Sequence, residues 1–187
     1  MDDMNTTFDK IEAEYEEKNQ FLGREYNRDL PFQDAMFDRW KRAEKLGFGK
    51  GTSIYNSACV FGNVIVGKNV WIGPNVILDA SAGKLEIGDG VTIASGVHIY
   101  THDNILKTLS GGTIPIAKGD VYIGAKTYIG SQTIINKSVK IGHQVVVAAQ
   151  SFVNRDVPSK FIMAGRPAKK IGYVDISPQD TISLIYD

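Results

Sequence analysis

The sequence predicts an all-β fold, a left-handed parallel β-helix of about five coils with an N-terminal α-helical segment and one long extruded loop. Three observations predict it: an aliphatic residue recurs every six positions, a small residue often follows it, and the repeat is interrupted only twice. A six-residue period fits neither an α-helix nor a single strand. The aliphatic positions are Ile54, Val60, Val66, Ile72, Leu78, Ile87, Ile93, Ile99, Ile123, Ile129, Ile135, Ile141, Val147 and Val153.

Each position of the repeat has a physical reason. The aliphatic side chain fills a narrow interior in which a polar group would find no partner. The small residue after it lies near a tight corner, where a side chain would obstruct the backbone. Three short strands close one triangular coil, and equivalent residues stack from coil to coil. Parallel strands usually connect with right-handed crossovers, and this six-residue repeat is the known left-handed exception.

Composition is typical of one soluble domain. The chain has 187 residues, of which 43% are hydrophobic, and this is enough for a sizeable core. The formal net charge of zero gives no bulk attraction for nucleic acid or an anionic membrane. One cysteine excludes an internal disulfide framework. No apolar stretch approaches the length of a membrane span, and the acidic, polar N-terminus does not resemble a leader, so we expect no membrane insertion and a cytoplasmic location.

The chain divides into three predicted parts. Residues 1–48 form a helical extension, residues 49–172 the β-helix domain and residues 173–187 a tail with scattered apolar residues. Within the extension, residues 1–28 are charged and weakly patterned, which is typical of a helical or partly disordered segment. Residues 29–46 predict one amphipathic helix, because apolar residues recur at intervals of three or four and glycines follow. We expect that helix to cover the open end of the prism, and the alternative is a helix that binds a partner.

The two interruptions indicate where a site is built. The segment 79–86 carries three extra residues, with Ala82, Gly83 and Lys84 as the expected bulge. After Ile99 the repeat stops and resumes at Ile123. Loops on a rigid scaffold often carry function, and His102 lies at the base of this long loop.

Three segments carry a resemblance to a known family. They are Ile99-Tyr100-Thr101-His102-Asp103, and the pair Val153–Pro158 and Ala164–Lys169 near the C-terminus. Over about residues 50–172, the chain resembles the hexapeptide-repeat acyltransferases. Within them it is most similar to the maltose, galactoside and Nod-factor O-acetyltransferases and to relatives in lipopolysaccharide and capsule biosynthesis. The first 48 residues lack this resemblance, so it does not identify the acceptor sugar.

The resemblance implies a homotrimer with active sites in the clefts between subunits, acetyl-CoA as acyl donor and no metal. The resemblance also implies that His102 is the general base that deprotonates an acceptor hydroxyl, which then attacks the thioester directly. An imidazole, with an ordinary pKa of about 6.5, suits that role at neutral pH. From the residues alone, the alternative for His102 is a surface histidine of the loop. The apolar residues expected to face outward and to pair the subunits are Val64, Trp71 and Tyr128.

The resemblance also implies an acceptor site. Asn75 and Asp79 would hold sugar hydroxyls, which need polar contacts on rigid elements. The alternative for Asn75 is simple turn chemistry, because it follows Gly73-Pro74. Tyr100 could stack on a sugar face or pack between subunits.

For the donor, the resemblance places the pantetheine arm near Ser131 and Ala149. The contacts expected at the adenine and phosphate end are Asn154, Arg155, Arg166 and Lys169, because arginine and lysine match phosphate geometry and charge. For Arg166 and Lys169, the alternative is a solvated basic end of the domain. This chain has Ala148-Ala149-Gln150 where the family usually has Gly-Ala-Gly, and Tyr128 where tryptophan is common.

The predicted function is therefore an acyl-CoA-dependent O-acyltransferase that transfers acetyl to a sugar hydroxyl of a glycan or nucleotide-sugar precursor. One alternative is N-acylation of an amino-sugar nucleotide. Another is a non-catalytic β-helix subunit, which would need neither a histidine at the loop base nor a basic C-terminal coil. A gamma-class carbonic anhydrase would bind zinc through three histidines, but the spacing of His98, His102 and His143 does not match that family.

Overall fold

The structure, a computed structural model, describes residues 2–177 and 181–187, with side chains from residue 6 onward. Three helices precede a β-helix of about six turns, and the predicted fold class is confirmed. The turn beyond the predicted five arises because the chain keeps pairing in parallel after the last hexad, where Val146 and Val147 lie opposite Ile162 and Met163. In the described part of the chain, no helix has both the length and the hydropathy of a membrane span.

The N-terminal region contains helices α1 (Asp2–Tyr26), α2 (Phe32–Met36) and α3 (Arg39–Lys45). The prediction of one helix over residues 29–46 is therefore wrong. The chain leaves the helical conformation at Phe37 and Asp38, both of which have extended backbone angles. The Asp38 carboxylate then accepts hydrogen bonds from the N–H groups of Trp40 (2.8 Å) and Lys41 (3.0 Å). A side chain that caps a new helix start in this way favours two short helices over one long one.

Helix α3 packs on the first coil of the β-helix. Ala43 is 1% exposed and belongs to the same apolar core as the coils, as does Phe48 directly after the helix. The Arg42 guanidinium donates to the carbonyls of Tyr55 and, at 2.8 Å, Ala58. These two carbonyls lie at the start of the prism, where no earlier coil exists to pair with them.

The β-helix has three faces, which we name A, B and C in chain order. Strands β2 (Cys59–Val66) and β4 (Ile77–Ile87) cross the corner between B and C without a break. Face A consists of β1 (Ser53–Ile54), β3 (Trp71–Ile72), β5 (Thr92–Ile93), β10 (Tyr128–Ile129), β13 (Val146–Val147) and β15 (Phe161–Gly165). Face B continues with β6 (His98–Tyr100), β11 (Ile134–Ile135) and β14 (Phe152–Val153), and face C with β9 (Val121–Ile123) and β12 (Val139–Ile141).

The core is the stack of hexad side chains inside the prism. On face A, for example, Ile54, Ile72, Ile93 and Ile129 are each 0% exposed and lie in register. Val64, which we predicted to face outward, is only 7% exposed and part of this core. Side chains alternate along a strand with a period of two, and Val64 therefore points inward with Val66.

The small residues of the repeat are required by the close approach of the coils. At Gly124, an added Cβ would lie 2.5 Å from the carbonyl carbon of Gly142 on the next coil. The left-handed conformation occurs two residues further along each corner and is mostly occupied by side chains other than glycine, such as Asn75 and Gln132. The repeat glycines therefore serve the stacking of coils, and the turn itself is made elsewhere.

The C-terminal segment extends face A as a hairpin. Strand β16 (Ala168–Ile176) pairs antiparallel with β15, and β17 (Ile182–Tyr186) pairs antiparallel with β16. The predicted boundary at residue 172 thus lies inside β16. Residues 178–180 of the predicted tail, and Met1 of the predicted extension, lie outside the described residues.

Both interruptions of the repeat emerge at the corner between faces B and C. In the first, Asn63 of β2 lies opposite four residues of β4, because the register passes from Gly62–Ala80 to Val64–Leu85. The second forms a loop closed at its base by antiparallel strands β7 (His102–Asp103) and β8 (Ala117–Lys118), with helix α4 (Ile105–Leu109) between them. The bulge lies against the loop base, since an added Cβ at Gly83 would be 3.1 Å from Cβ of Thr101.

Candidate active site

Most of the predicted site residues lie along the two edges of face B. We name the corner between faces A and B the AB edge, and the corner between faces B and C the BC edge. The BC edge carries Asp79, Tyr100 and His102, where both insertions leave the prism. The AB edge carries Asn75, four residues before Asp79. At about 3.3 Å per residue, the two edges are roughly 13 Å apart.

Thr101 fixes the relative position of His102 and Asp79. Its side chain is 0% exposed, and it donates to the Asp79 carbonyl from both its N–H (3.1 Å) and its Oγ1 (2.9 Å). Its own carbonyl accepts from the N–H of Gly119, where the loop returns. A neighbour held by three hydrogen bonds gives His102 a defined place at the loop base.

The imidazole of His102 faces the carboxylate of Asp79. Its Nδ1 lies 3.9 Å from Oδ2 of Asp79, and the two side chains are 23% and 14% exposed. Among the described residues, this Nδ1 is a buried polar atom with no hydrogen-bond partner. The distance exceeds that of a hydrogen bond, but catalytic hydrogen bonds are often long before substrate binds. Since Nδ1 is buried, the exposure of the ring lies on its other atoms, which include Nε2.

The Asp79 carboxylate is itself held in place. Its Oδ1 accepts hydrogen bonds from the N–H of Ser81 at 2.9 Å and from Oγ of Ser81 at 2.5 Å. Oδ2 is thereby left toward His102. Asp79 was predicted to hold an acceptor hydroxyl, and the structure adds a second possible role, orientation of the imidazole.

Tyr100 lies beside Asp79 in the ladder between β4 and β6. Its hydroxyl is 3.1 Å from Nδ1 of His98, and the two rings meet edge to face. Burial raises the pKa of Tyr100 above its ordinary value of 10.0, and the charge of Asp79 raises it further. The phenol is therefore a neutral hydrogen-bonding group at the BC edge throughout the physiological range.

Asp103 and Lys137 form an ion pair next to His102. Nζ of Lys137 contacts Oδ2 of Asp103, and the side chains are 21% and 22% exposed. The hydrogen bond from Lys137 lowers the pKa of Asp103 below its ordinary value, and the hydrogen bond from the N–H of Ile105 adds to this effect. Sequence reasoning missed this pair. The hexad phase places Lys137 two residues after a hexad isoleucine, at the same corner as Thr101, but it does not give the partner of the lysine.

The residues predicted to line the pantetheine arm lie on the AB edge. A ladder of backbone hydrogen bonds defines this edge, including those from Gln132 to Ser95 (2.9 Å) and from Gln150 to Ser131 (2.8 Å). Ala149 is exposed beside Gln150 on the same edge. Nε of Arg166 donates to the Gln150 carbonyl at 2.6 Å, so this guanidinium also lies at the C-terminal end of the AB edge.

The other residues predicted to contact the acyl donor lie in two separate places. Asn154 and Arg155 are exposed on the BC edge, one coil beyond Asn136, whose N–H pairs with the Val153 carbonyl at 2.9 Å. Lys169 is exposed at the turn of the hairpin, in register with Ala164. Within one chain the predicted donor residues therefore do not form one cluster, and His102 lies on the opposite edge of face B from Ser131 and Arg166.

The structure also locates the three histidines. His98 points outward on face B, whereas Nδ1 of His143 accepts from the N–H of Ala125 (3.0 Å) at the corner between faces C and A. Over residues 6–177 and 181–187, no three His, Cys, Asp or Glu side chains are placed to hold one metal ion.

Comparison with known proteins finds relatives by sequence and by structure. No protein-family model matches the chain. The carnitine operon protein CaiE from Proteus sp. (strain LE138) is 32% identical over 135 residues, which cover 68% of this chain and 66% of that protein. Galactoside O-acetyltransferase from Escherichia coli (strain K12) is 29% identical over 125 residues, which cover 57% of this chain and 62% of that enzyme. The chain thus spans slightly less than two thirds of the length of these relatives.

Solved structures show the same fold. AntD, an N-acyltransferase from Bacillus cereus in complex with dTDP and 3-hydroxybutyryl-CoA, superimposes with a TM-score of 0.60 and 25% identity over 73% of this chain and 90% of AntD. A hexapeptide-repeat acetyltransferase from Vibrio cholerae gives a TM-score of 0.53 and 26% identity over 88% of this chain and 92% of that one.

The repeat, the coil geometry and these likenesses define a left-handed β-helix of the hexapeptide-repeat class. The chain is homologous to the hexapeptide-repeat acetyltransferases, and CaiE and galactoside O-acetyltransferase are among its homologues. The resemblance stated from the sequence is confirmed.

Proposed function

We propose that this protein is an acyl-CoA-dependent O-acyltransferase that transfers acetyl from acetyl-CoA to a sugar hydroxyl, with His102 as general base. The observation that carries the proposal is the imidazole at the loop base, held by Thr101 with its buried Nδ1 turned toward Asp79. The likeness of the chain to galactoside O-acetyltransferase supports transfer of acetyl to a sugar hydroxyl. The likeness to AntD, solved with 3-hydroxybutyryl-CoA, supports an acyl-CoA as donor.

The chemistry follows from the orientation of the ring. With the proton on Nδ1 directed to Asp79, Nε2 carries the lone pair that takes the proton of the acceptor hydroxyl. The hydroxyl oxygen then bonds to the thioester carbonyl carbon as the bond to sulfur breaks. The thiolate of coenzyme A takes up a proton, for which the His102 imidazolium is the source. Asp79 stabilises that imidazolium while it exists.

The proposed assembly is a homotrimer packed through face B, in place of the contacts through Trp71 and Tyr128 predicted from the sequence, because these two residues lie on face A. The outward residues of face B form one column in register across five coils and are mostly apolar. The column consists of Cys59, Ile77, His98, Ile134 and Phe152. Burial of such a face between subunits is favourable. Around a threefold axis, the BC edge of one subunit would meet the AB edge of the next, and the separation of His102 from Ser131, Ala149 and Arg166 within one chain supports a site shared by two chains.

N-acylation of an amino-sugar nucleotide is the second candidate, favoured by the likeness to AntD. An amine that is already neutral needs less help from a base than a hydroxyl does. The Asp79–His102 arrangement, which strengthens a base, supports O-acylation over N-acylation.

The experiment is release of free coenzyme A thiol from acetyl-CoA with a panel of oligosaccharides, nucleotide sugars and amino-sugar nucleotides. Products are then treated with hydroxylamine at neutral pH, which cleaves esters and leaves amides intact. Acceptor-dependent thiol release with a labile product supports the proposal. A stable product means N-acylation, and no release with any acceptor contradicts transferase activity and favours a non-catalytic subunit.

A further inference from the structure

The long loop meets the β-helix through a small antiparallel ladder. This ladder has only two residue pairs, His102 with Lys118 and Asp103 with Ala117. So short a two-stranded ladder is marginally stable without further contacts. Since His102 is itself one of the four paired residues, whatever fixes this ladder also fixes the backbone that carries the imidazole.

The coil that follows the loop supplies those further contacts, from its corner at residues 136–138. Lys137 reaches Asp103 on the outgoing strand of the loop. Ser138 packs on the return of the loop, since an added Cβ at Gly119 would lie 3.0 Å from Cβ of Ser138. One corner therefore contacts both ends of the loop.

The Asp103 carboxylate joins this corner to the loop interior. One oxygen receives Lys137, and the other accepts from the N–H of Ile105 at 3.0 Å, at the first residue of α4. The two side chains are about one fifth exposed, so solvent screens the pair less than it screens a fully exposed pair. Lys137 also pairs with the carboxylate of Asp103, the residue that directly follows His102 in the chain. In the described part of the chain, the carboxylate that lies within 4.0 Å of Nδ1 of His102 is that of Asp79.

From these contacts we infer that Lys137 is a positioning residue. Its ion pair with Asp103 fixes the loop base so that the His102 ring stays beside Asp79, and it keeps Asp103 from competing for that ring. This inference rests on the proposed role of His102 as general base.

The kinetic test uses four variants and one control. Lys137→Met keeps most of the length of the side chain and removes the charge, and Lys137→Arg restores the charge. Asp103→Asn keeps an oxygen that can accept from the N–H of Ile105. The fourth is the Lys137→Met, Asp103→Asn double variant. Lys140→Met is the control, because this lysine is exposed on the same coil.

We expect Lys137→Met and Asp103→Asn each to lower kcat about tenfold or more, with the KM for acetyl-CoA changed less than twofold. The double variant should be no worse than the worse single variant, since both remove the same pair. Lys137→Arg should recover most of kcat, and Lys140→Met should match the wild type. Additive losses in the double variant, or wild-type kcat in Lys137→Met, would overturn the inference.

Limited trypsin digestion tests whether the Lys137–Asp103 pair holds the loop base, and it needs no measurement of enzyme activity. Lys107 lies in α4 within the loop, and cleavage after it reports how firmly the loop base is held. Lys137→Met and Asp103→Asn should speed this cleavage about tenfold, whereas Lys137→Arg and Lys140→Met should not. If the protein proves not to be a transferase, this readout still decides whether the pair holds the loop. Faster cleavage with unchanged kcat in an active enzyme would show that the pair holds the loop without positioning His102, and would refute the inference.

Discussion

Replacement of Asp79 by asparagine separates its two possible roles. Asparagine keeps the size of the side chain and an oxygen that can accept from Ser81, as Oδ1 of Asp79 does at 2.9 Å from the Ser81 N–H. It removes the negative charge near Nδ1 of His102 and replaces the acceptor oxygen Oδ2 with an amide NH2 donor. If Asp79 stabilises the imidazolium that forms when the base takes a proton, kcat falls. If Asp79 chiefly holds an acceptor hydroxyl, the KM for the acceptor rises.

The magnitude follows from the geometry. Over the 3.9 Å that joins Nδ1 to Oδ2, opposite unit charges attract by about 1 kcal/mol in water and about 4 kcal/mol at an effective dielectric constant near 20. With side chains 23% and 14% exposed, the pair lies between these limits. A loss of about 2–3 kcal/mol from the transition state corresponds to a decrease of roughly 30- to 150-fold in kcat.

The assay is acceptor-dependent thiol release, with kcat and the KM for the acceptor measured separately. The expected result is the stated fall in kcat, with the KM for acetyl-CoA nearly unchanged. Wild-type kcat in Asp79→Asn would refute the orientation of His102 by Asp79. A large rise in the KM for the acceptor with kcat retained would return Asp79 to the acceptor role predicted from the sequence.

Three further predictions concern the donor, the assembly and the fold. Removal of Arg166 and Lys169 together should raise the KM for acetyl-CoA about tenfold or more, because each charged contact to phosphate contributes roughly 1.5–3 kcal/mol; equal losses with a truncated pantetheine thioester would contradict phosphate binding. Light scattering should give about three times 20.5 kDa, and a monodisperse monomer at micromolar concentration would argue against a shared site. Gly124→Ala should destabilise the fold by about 1–3 kcal/mol because of the 2.5 Å approach to the next coil. Calorimetry should show the lower Tm, whereas Gly23→Ala in α1 should not lower it.

Much of the fold could be predicted because each coil repeats one packing rule. A hexad isoleucine such as Ile99 is buried for the same reason as its neighbours above and below, so fourteen positions support one assignment. The helices before the repeat lack this redundancy. The break between α2 and α3 depends on one capping side chain, Asp38, and the apolar spacing across it imitates a single helix.

The candidate site was predictable in part. The position of His102 at the loop base follows from where the repeat stops. Contacts between insertions do not follow from the repeat, since they depend on how the loop folds back on the coils. The Lys137–Asp103 pair and the hydrogen bonds of Thr101 to Asp79 are of this kind. The hexad phase gives the corner at which each residue lies, but side-chain partners across a corner require the structure.

The most direct test of the account is the turnover of His102→Ala with acetyl-CoA and an accepted sugar. His143→Ala is the matched control, because that histidine lies at the corner between faces C and A and pairs with the N–H of Ala125. We predict that His102→Ala lowers kcat at least about a hundredfold, the usual scale for loss of a general base, while acetyl-CoA affinity stays nearly intact and His143→Ala stays close to wild type. Wild-type turnover in His102→Ala, with chemistry rate-limiting, would contradict the account.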